Sequence, residues 1–236
     1  MMMVPKGGGK ARSHDPAPDY QSLSSGAQVI EADGYGEKVL RLRDGSYLKL
    51  FRRKRLLSSA IWYPYAHRFA DNADMLARLG VACPRIIGVY RFADIQRDAV
   101  HYQPLPGSTL RQLIESAPSD IDSPALRTRL GHFVARLHER GVFFRSIHLG
   151  NIVVDDGGCF GLIDIADMRI GRGPLSRIRR RRNLVHMMRY REDALWLLGD
   201  HGRAFAEGYS AETGSGCPMH MLLGWLHGAE RRVSGG

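Results

Sequence analysis

The sequence predicts an α+β fold in two parts, a small antiparallel sheet carrying one helix and then a mainly helical part. Three observations support this. Short alternating runs broken by glycine turns fill residues 27–51. Phe69, Ala73, Leu76 and Leu79 recur at helical steps. Beyond Pro106, capping residues and apolar helical stripes dominate.

Residues 1–26 are rich in Gly, Pro and charge, lack the apolar middle of a signal peptide, and are expected to form a flexible leader. In "AQVIEADGYGEKVLRLRDGSYLKLF" three strands are expected, Ala27–Glu31, Lys38–Arg43 and Tyr47–Phe51. "DGYG" turns the first pair and Asp44-Gly45 the second. On the third strand Leu48 and Leu50 share one face, and Tyr47, Lys49 and Phe51 the other. A lysine there is either a solvated side chain or a group held inside a cleft. A helix follows over Ser58–Leu79, which Pro64 interrupts or begins and Gly80 stops. "PRIIGVYRF" and "DAVHYQPL" complete the sheet, and the connector Pro104-Leu105-Pro106 closes a first domain over 27–103.

The second domain is expected over 104–230, with a flexible tail at 231–236. Thr109 and Gln112 are placed as a capping box. Ser123 caps the next helix, Pro124 takes its first position, and Leu126, Leu130, Phe133 and Leu137 form its apolar stripe up to Gly141. "NIVV" and "FGLID" are short strands around Asp155-Asp156-Gly157-Gly158, and weaker helices are expected near Asp193–Leu198 and Met219–Leu226.

The three cysteines, Cys83, Cys159 and Cys217, form no C-x-x-C pair, so a reducing compartment is expected rather than a disulfide framework. No apolar run reaches the ~18–20 residues of a membrane span, and a cytoplasmic location is expected. Net charge is +10, and nine arginines with no acidic residue lie between Asp167 and Glu192. Such a run, Arg169 to Arg191, suits phosphates on a glycan, an anionic lipid or a nucleic acid, or else is a solvated helix face. No aromatic residue interleaves Arg177–Arg182, which disfavours nucleic acid bound by base stacking.

The stretch "GVFFRSIHLGNIVVDDGGCFGLIDIAD" carries the chemistry. Phosphoryl transfer from ATP needs the phosphates held, Mg2+ held and an acceptor aligned. A strand lysine supplies a cationic donor, while Asn and Asp supply the hard oxygens that magnesium prefers. Lys49, Asn151 and Asp164 occur in that order on the matching elements. Ser146 and Asn151 reproduce the spacing of D-x-x-x-x-N with Ser in place of Asp, and Asp164 follows Asn151 by thirteen residues, room for one hairpin.

On these residues, with "KLFRRKRLLSSAIWYPYAHRFADN", "ERGVFFRSIHLGN" and "GLIDIADMR", the chain resembles the lipopolysaccharide-core sugar kinases of the protein-kinase-like fold. It is most similar to the bacterial toluene tolerance proteins within them. The resemblance spans about Ala27 to Arg189. It implies a two-lobed fold with Mg-ATP between the lobes and the adenine edge against Gln103–Leu105. It further implies transfer to a sugar hydroxyl of a lipopolysaccharide precursor, at the inner face of the inner membrane, with the arginine run on anionic lipid or substrate. Two departures favour the alternative of an inactive pseudokinase scaffold in envelope homeostasis or solvent tolerance. H-R-D becomes Phe144-Arg145-Ser146, and the helix glutamate becomes Asn72, which is expected to hydrogen-bond Lys49 without neutralising it. His148 is a substitute base or, more simply, an internal hydrogen-bonding residue, and Phe144 a core aromatic. Ser146 lacks a G-x-S-x-G context for a nucleophile. Asp167 either assists a metal or pairs with Arg169 or Arg172.

Overall fold

A computed structural model describes residues 18–53, 63–116, 123–213 and 216–234. Alternating apolar side chains build its first layer, a five-stranded antiparallel sheet. Its strands are β1 Gln28–Asp33, β2 Gly36–Arg41, β3 Tyr47–Arg52, β4 Arg85–Phe92 and β5 Arg97–Gln103, in the order β1-β2-β3-β5-β4. Lys49 lies opposite Val39 on one side and Val100 on the other, so it occupies an interior strand. Leu48 and Leu50 face a small core with Leu40, Leu42, Phe92 and Ala99. The other face packs Val100 and Tyr102 against Phe69 and Leu76 of α2, Tyr65–Arg78.

The small core needs a lid, and here the leader expectation is corrected. Residues 18–26 include a helix, α1 Tyr20–Ser24, capped by the Asp19 side chain. Tyr20 meets the Phe92 ring edge-on at 5.4 Å, so this segment covers apolar surface that would otherwise face water. The rest of the expected leader, 1–17, lies outside the described residues. The expected start of the second helix at Ser58 also lies outside them; α2 begins after Pro64, which stands at its N-cap with φ −59°. Gly80 ends it with φ +66°, a conformation cheap only for glycine.

The helical part contains α3 Leu110–Ser116, α4 Pro124–Glu139, α5 Arg177–Met187, α6 Arg191–Leu197, α7 Arg203–Thr213 and α8 Met219–Ser234. The Thr109–Gln112 box closes as expected, each residue's side chain accepting from the other's backbone N–H, at 2.9 and 3.2 Å. Ser123 caps α4 through Leu126 N at 3.1 Å. Helix α7, unexpected from the sequence, crosses α4 so closely that a Cβ on Gly208 would stand 2.0 Å from the Thr128 carbonyl oxygen. Helix α8 runs to Ser234, which replaces most of the expected tail; 235–236 lie outside the described residues.

Two small sheets sit between these helices. Strands β6 Ser108–Thr109, β8 Ile152–Val154 and β9 Phe160–Leu162 form one, and β7 Val142–Phe144 pairs with β10 Met168–Ile170 in the other. A parallel bridge, Ala82 to Gly161, joins the end of α2 to β9, and Leu162 N donates to the Ala82 carbonyl at 2.9 Å. Among the described residues no helix is long and apolar enough to cross a membrane.

Candidate functional site

Pairing of β8 with β9 sets Ile152 opposite Leu162, and Ile163 N donates to the Asn151 carbonyl at 3.1 Å. The loop that ends at Asn151 and the hairpin that ends at Asp164 therefore emerge side by side. Asp164 is left-handed, φ +51° and ψ +46°, a region that Asp tolerates better than most side chains. Its carboxylate meets the sheet lysine: Lys49 Nζ lies 2.5 Å from Asp164 Oδ1. These residues are 115 positions apart in the chain. The lysine side chain is 16% exposed and the aspartate 46%, so the pair lies near the surface rather than in the core.

Asn151 is buried and donates its amide to the Ser146 carbonyl at 2.9 Å. That bond fixes the amide and leaves Oδ1 as an acceptor. Among the described residues no group of three or more His, Cys, Asp or Glu is placed to hold a metal ion by itself. Asn151 and Asp164 are nevertheless the hard oxygen donors that suit Mg2+, which commonly takes one or two protein oxygens and completes its shell with phosphates and water.

Asn72 departs from expectation. It is buried, and its Nδ2 donates to the carbonyls of Ile165 and Met168 at 2.7 and 3.2 Å, not to Lys49. The reason is geometric: α2 packs directly on the turn Ile165–Asp167, so the side chain meets that turn's backbone, while Lys49 is engaged by Asp164.

The expected partner of Asp167 is also corrected. Ser146 Oγ donates to Asp167 Oδ2 at 2.6 Å, in place of an ion pair with Arg169 or Arg172, both of which are exposed. Asp167 Oδ1 is buried without a hydrogen-bond partner. Burial lifts this carboxyl's pKa above its ordinary value; the Ser146 bond opposes the rise and the Asp164 charge adds to it. A carboxylate thus stands beside Ser146 although the loop position itself has none.

Of the remaining expected residues, Arg145 is exposed, and its carbonyl accepts from Arg189 Nη2 at 2.8 Å. The His148 ring lies edge-on to Tyr190 at 5.1 Å, with Nδ1 buried and unpartnered. Burial, and then the Arg111 charge, push its pKa down, so the imidazole is neutral at pH 7. Phe144 is fully buried, as expected. Gln103 ends β5 opposite Arg85, and Leu105 packs over Gly161, where a Cβ would fall 2.4 Å from Leu105 Cδ2.

Two residues that position the loop had no sequence signal. Asp193, 2% exposed, accepts from Arg111 Nε and Nη2 at 2.9 and 2.7 Å and from Leu149 N at 2.9 Å. Asn183 bonds the Phe144 carbonyl and the His138 ring, holding β7 just before Arg145. The arginine run also divides. Arg180 is buried and ion-paired to Glu139 at 2.8 Å, whereas the other eight arginines of the run are exposed. Ile178, 81% exposed, shares the outward face of α5 with Arg181 and Arg182. The chain matches no protein-family model and no curated protein.

Proposed function

We propose that the chain is a phosphotransferase of protein-kinase-like fold. On this reading it binds Mg-ATP through Lys49, Asn151 and Asp164 and transfers phosphate to a sugar hydroxyl of a lipopolysaccharide precursor. The observation that carries the reading is the 2.5 Å contact between Lys49 and Asp164, which brings a cation from the sheet and a carboxylate from the hairpin to one point. Lys49 would bind phosphate oxygens, and Asn151 and Asp164 would hold the magnesium ion. That ion supplies neutralisation of developing phosphate charge.

The Ser146–Asp167 pair supports a route for the proton. The acceptor hydroxyl attacks the γ-phosphorus and gives its proton to Ser146 Oγ, Ser146 passes its own to Asp167, and ADP leaves with the bridging oxygen. A carboxyl whose pKa is raised accepts a proton more readily than an ordinary one. The eight exposed arginines and Ile178 suit an anionic membrane, each basic side chain near the surface adding about 1 kcal/mol.

Calorimetric titration of ATP with and without Mg2+ tests the site. Wild type is expected to bind in a magnesium-dependent manner, and Lys49→Ala and Asp164→Ala to lose that binding; equal affinity in all three refutes the site. Transfer from labelled ATP to purified lipopolysaccharide tests the chemistry, with Asp167→Asn expected to slow it by about 10²–10⁴-fold. The engagement of Asn72 away from Lys49 favours a second reading, a nucleotide-binding scaffold. Magnesium-dependent binding without any transfer selects it.

A further inference from the structure

A cavity of about 450 Å³ opens between α4, the turn after α2 and the β8–β9 hairpin, and shares no residue with the Lys49–Asp164 group. Its floor is apolar: Val81, Phe133 and Leu137 are buried, and Phe160 lies 5.3 Å from the Phe133 ring. Its rim is cationic. Arg129 and Arg136 project from α4 seven residues apart, on one side of the helix, and Arg140 follows four residues later at its C-cap. Glu212 is the single acidic residue of the lining, so three guanidinium groups less one carboxylate leave a charge of +2 before His132 is counted.

The guanidinium groups are held but not saturated. Arg129 donates to the Gly158 carbonyl, Arg140 to the Leu79 carbonyl at 2.7 Å, and Arg136 to Glu212 at 3.2 Å. Each guanidinium carries five N–H donors, so donors remain on all three once these bonds are made. Fixed cations around an apolar floor complement a ligand with a charged head and a greasy body. The volume lies within the ~300–1,000 Å³ range of small-molecule sites.

We propose that this cavity binds a small amphipathic anion, a phosphate or carboxylate carried on an aromatic ring or a short acyl chain. The apolar body lies on Phe133 and Phe160, and the anionic head bridges the guanidinium groups of the rim. Inorganic phosphate fits poorly, because it leaves the floor wet.

Cys159 reads occupancy directly. It is an exposed thiol on the cavity wall, whereas Cys217 is buried and Cys83 is half-buried with its pKa pushed up to about 11 by burial. The rate of Cys159 alkylation by iodoacetamide, followed by mass spectrometry in the full chain, is measured with phenyl phosphate, octanoate or inorganic phosphate. Phenyl phosphate or octanoate is expected to slow alkylation about tenfold at ten times its Kd; which of the two protects selects between an aryl phosphate and an alkyl carboxylate. Arg136→Ala with Arg140→Ala, both exposed and replaceable without opening the core, removes the protection, while Lys49→Ala keeps it. The proposal is overturned if neither amphiphile protects at millimolar concentration, if inorganic phosphate protects equally, or if the double variant remains protected. Because Lys49 lies outside this cavity, failure here is separable from failure of the nucleotide site.

Discussion

Replacing Asp193 with Ala should destabilise the protein and loosen the loop that carries Asn151. The carboxylate is 2% exposed and accepts three hydrogen bonds, two from the Arg111 guanidinium and one from Leu149 N. Leu149 is fully buried, so its N–H would be left without water or partner, at about 1–3 kcal/mol. Breaking a buried ion pair from one side costs about 3–5 kcal/mol. The Arg111 side chain is 25% exposed and can turn its charge toward solvent, which places the expected loss near the lower end of that range, about 3 kcal/mol. Urea unfolding of wild type, Asp193→Ala, Arg111→Met and the double variant measures both the loss and the coupling. Amide exchange at Leu149 and Asn151 should accelerate in Asp193→Ala, and under the proposed function ATP affinity should fall with it. A loss below about 1 kcal/mol, or a coupling of zero in the cycle, would refute the assignment of Asp193 as the anchor of the loop.

Asn72→Ala should cost about 1–3 kcal/mol by stranding the carbonyls of Ile165 and Met168, and Asn72→Asp should cost more because it sets a carboxylate against two carbonyl oxygens; melting temperatures check the order. Gly208→Ala should lower stability despite alanine's helix advantage of about 1 kcal/mol, since its Cβ would press within 2.0 Å of the Thr128 carbonyl oxygen, and a calorimetric melt at or above wild type would count against the crossing. Burial holds the His138 imidazole down to about 3 from its ordinary 6.5, against the opposing Asn183 bond. The unfolded chain therefore takes up a proton below pH 6.5 that the folded chain refuses. Stability from this residue is complete above that pH and drains away below it, by about 1.4 kcal/mol per pH unit. Urea midpoints of wild type and His138→Gln, compared from about pH 6 to about pH 4, should converge at that slope.

Local patterns carried far in the sequence. The approach of Lys49 to Asp164, and of the Asn151 loop to the same hairpin, was legible because each residue sits at a fixed offset from a turn or a strand, and the caps at Thr109 and Ser123 because side chain and target lie three residues apart. What escaped depends on contacts across long separations. Asn72 meets Ile165 and Met168, 93 and 96 residues away, and Asp193 reaches Arg111 across 82. Helix α7 escaped because three of its five buried positions are small, Ala204, Ala206 and Gly208, which leaves Phe205 and Tyr209 as a short apolar signal, while Gly208 serves close approach to α4. Strands β7 and β10 are three residues each, too short for alternation to register.

The Ala82–Gly161 bridge and the Asn72 bonds fasten α2 at both its flank and its end to the helical part. Mechanically, that helix is tied to the helical part although the chain delivers it with the sheet. Any change of shape around Lys49 is therefore expected to start at the edge strand β1, where every residue is exposed, because Val39 and Leu40 anchor β2 in the core and α2 holds the rear of the sheet.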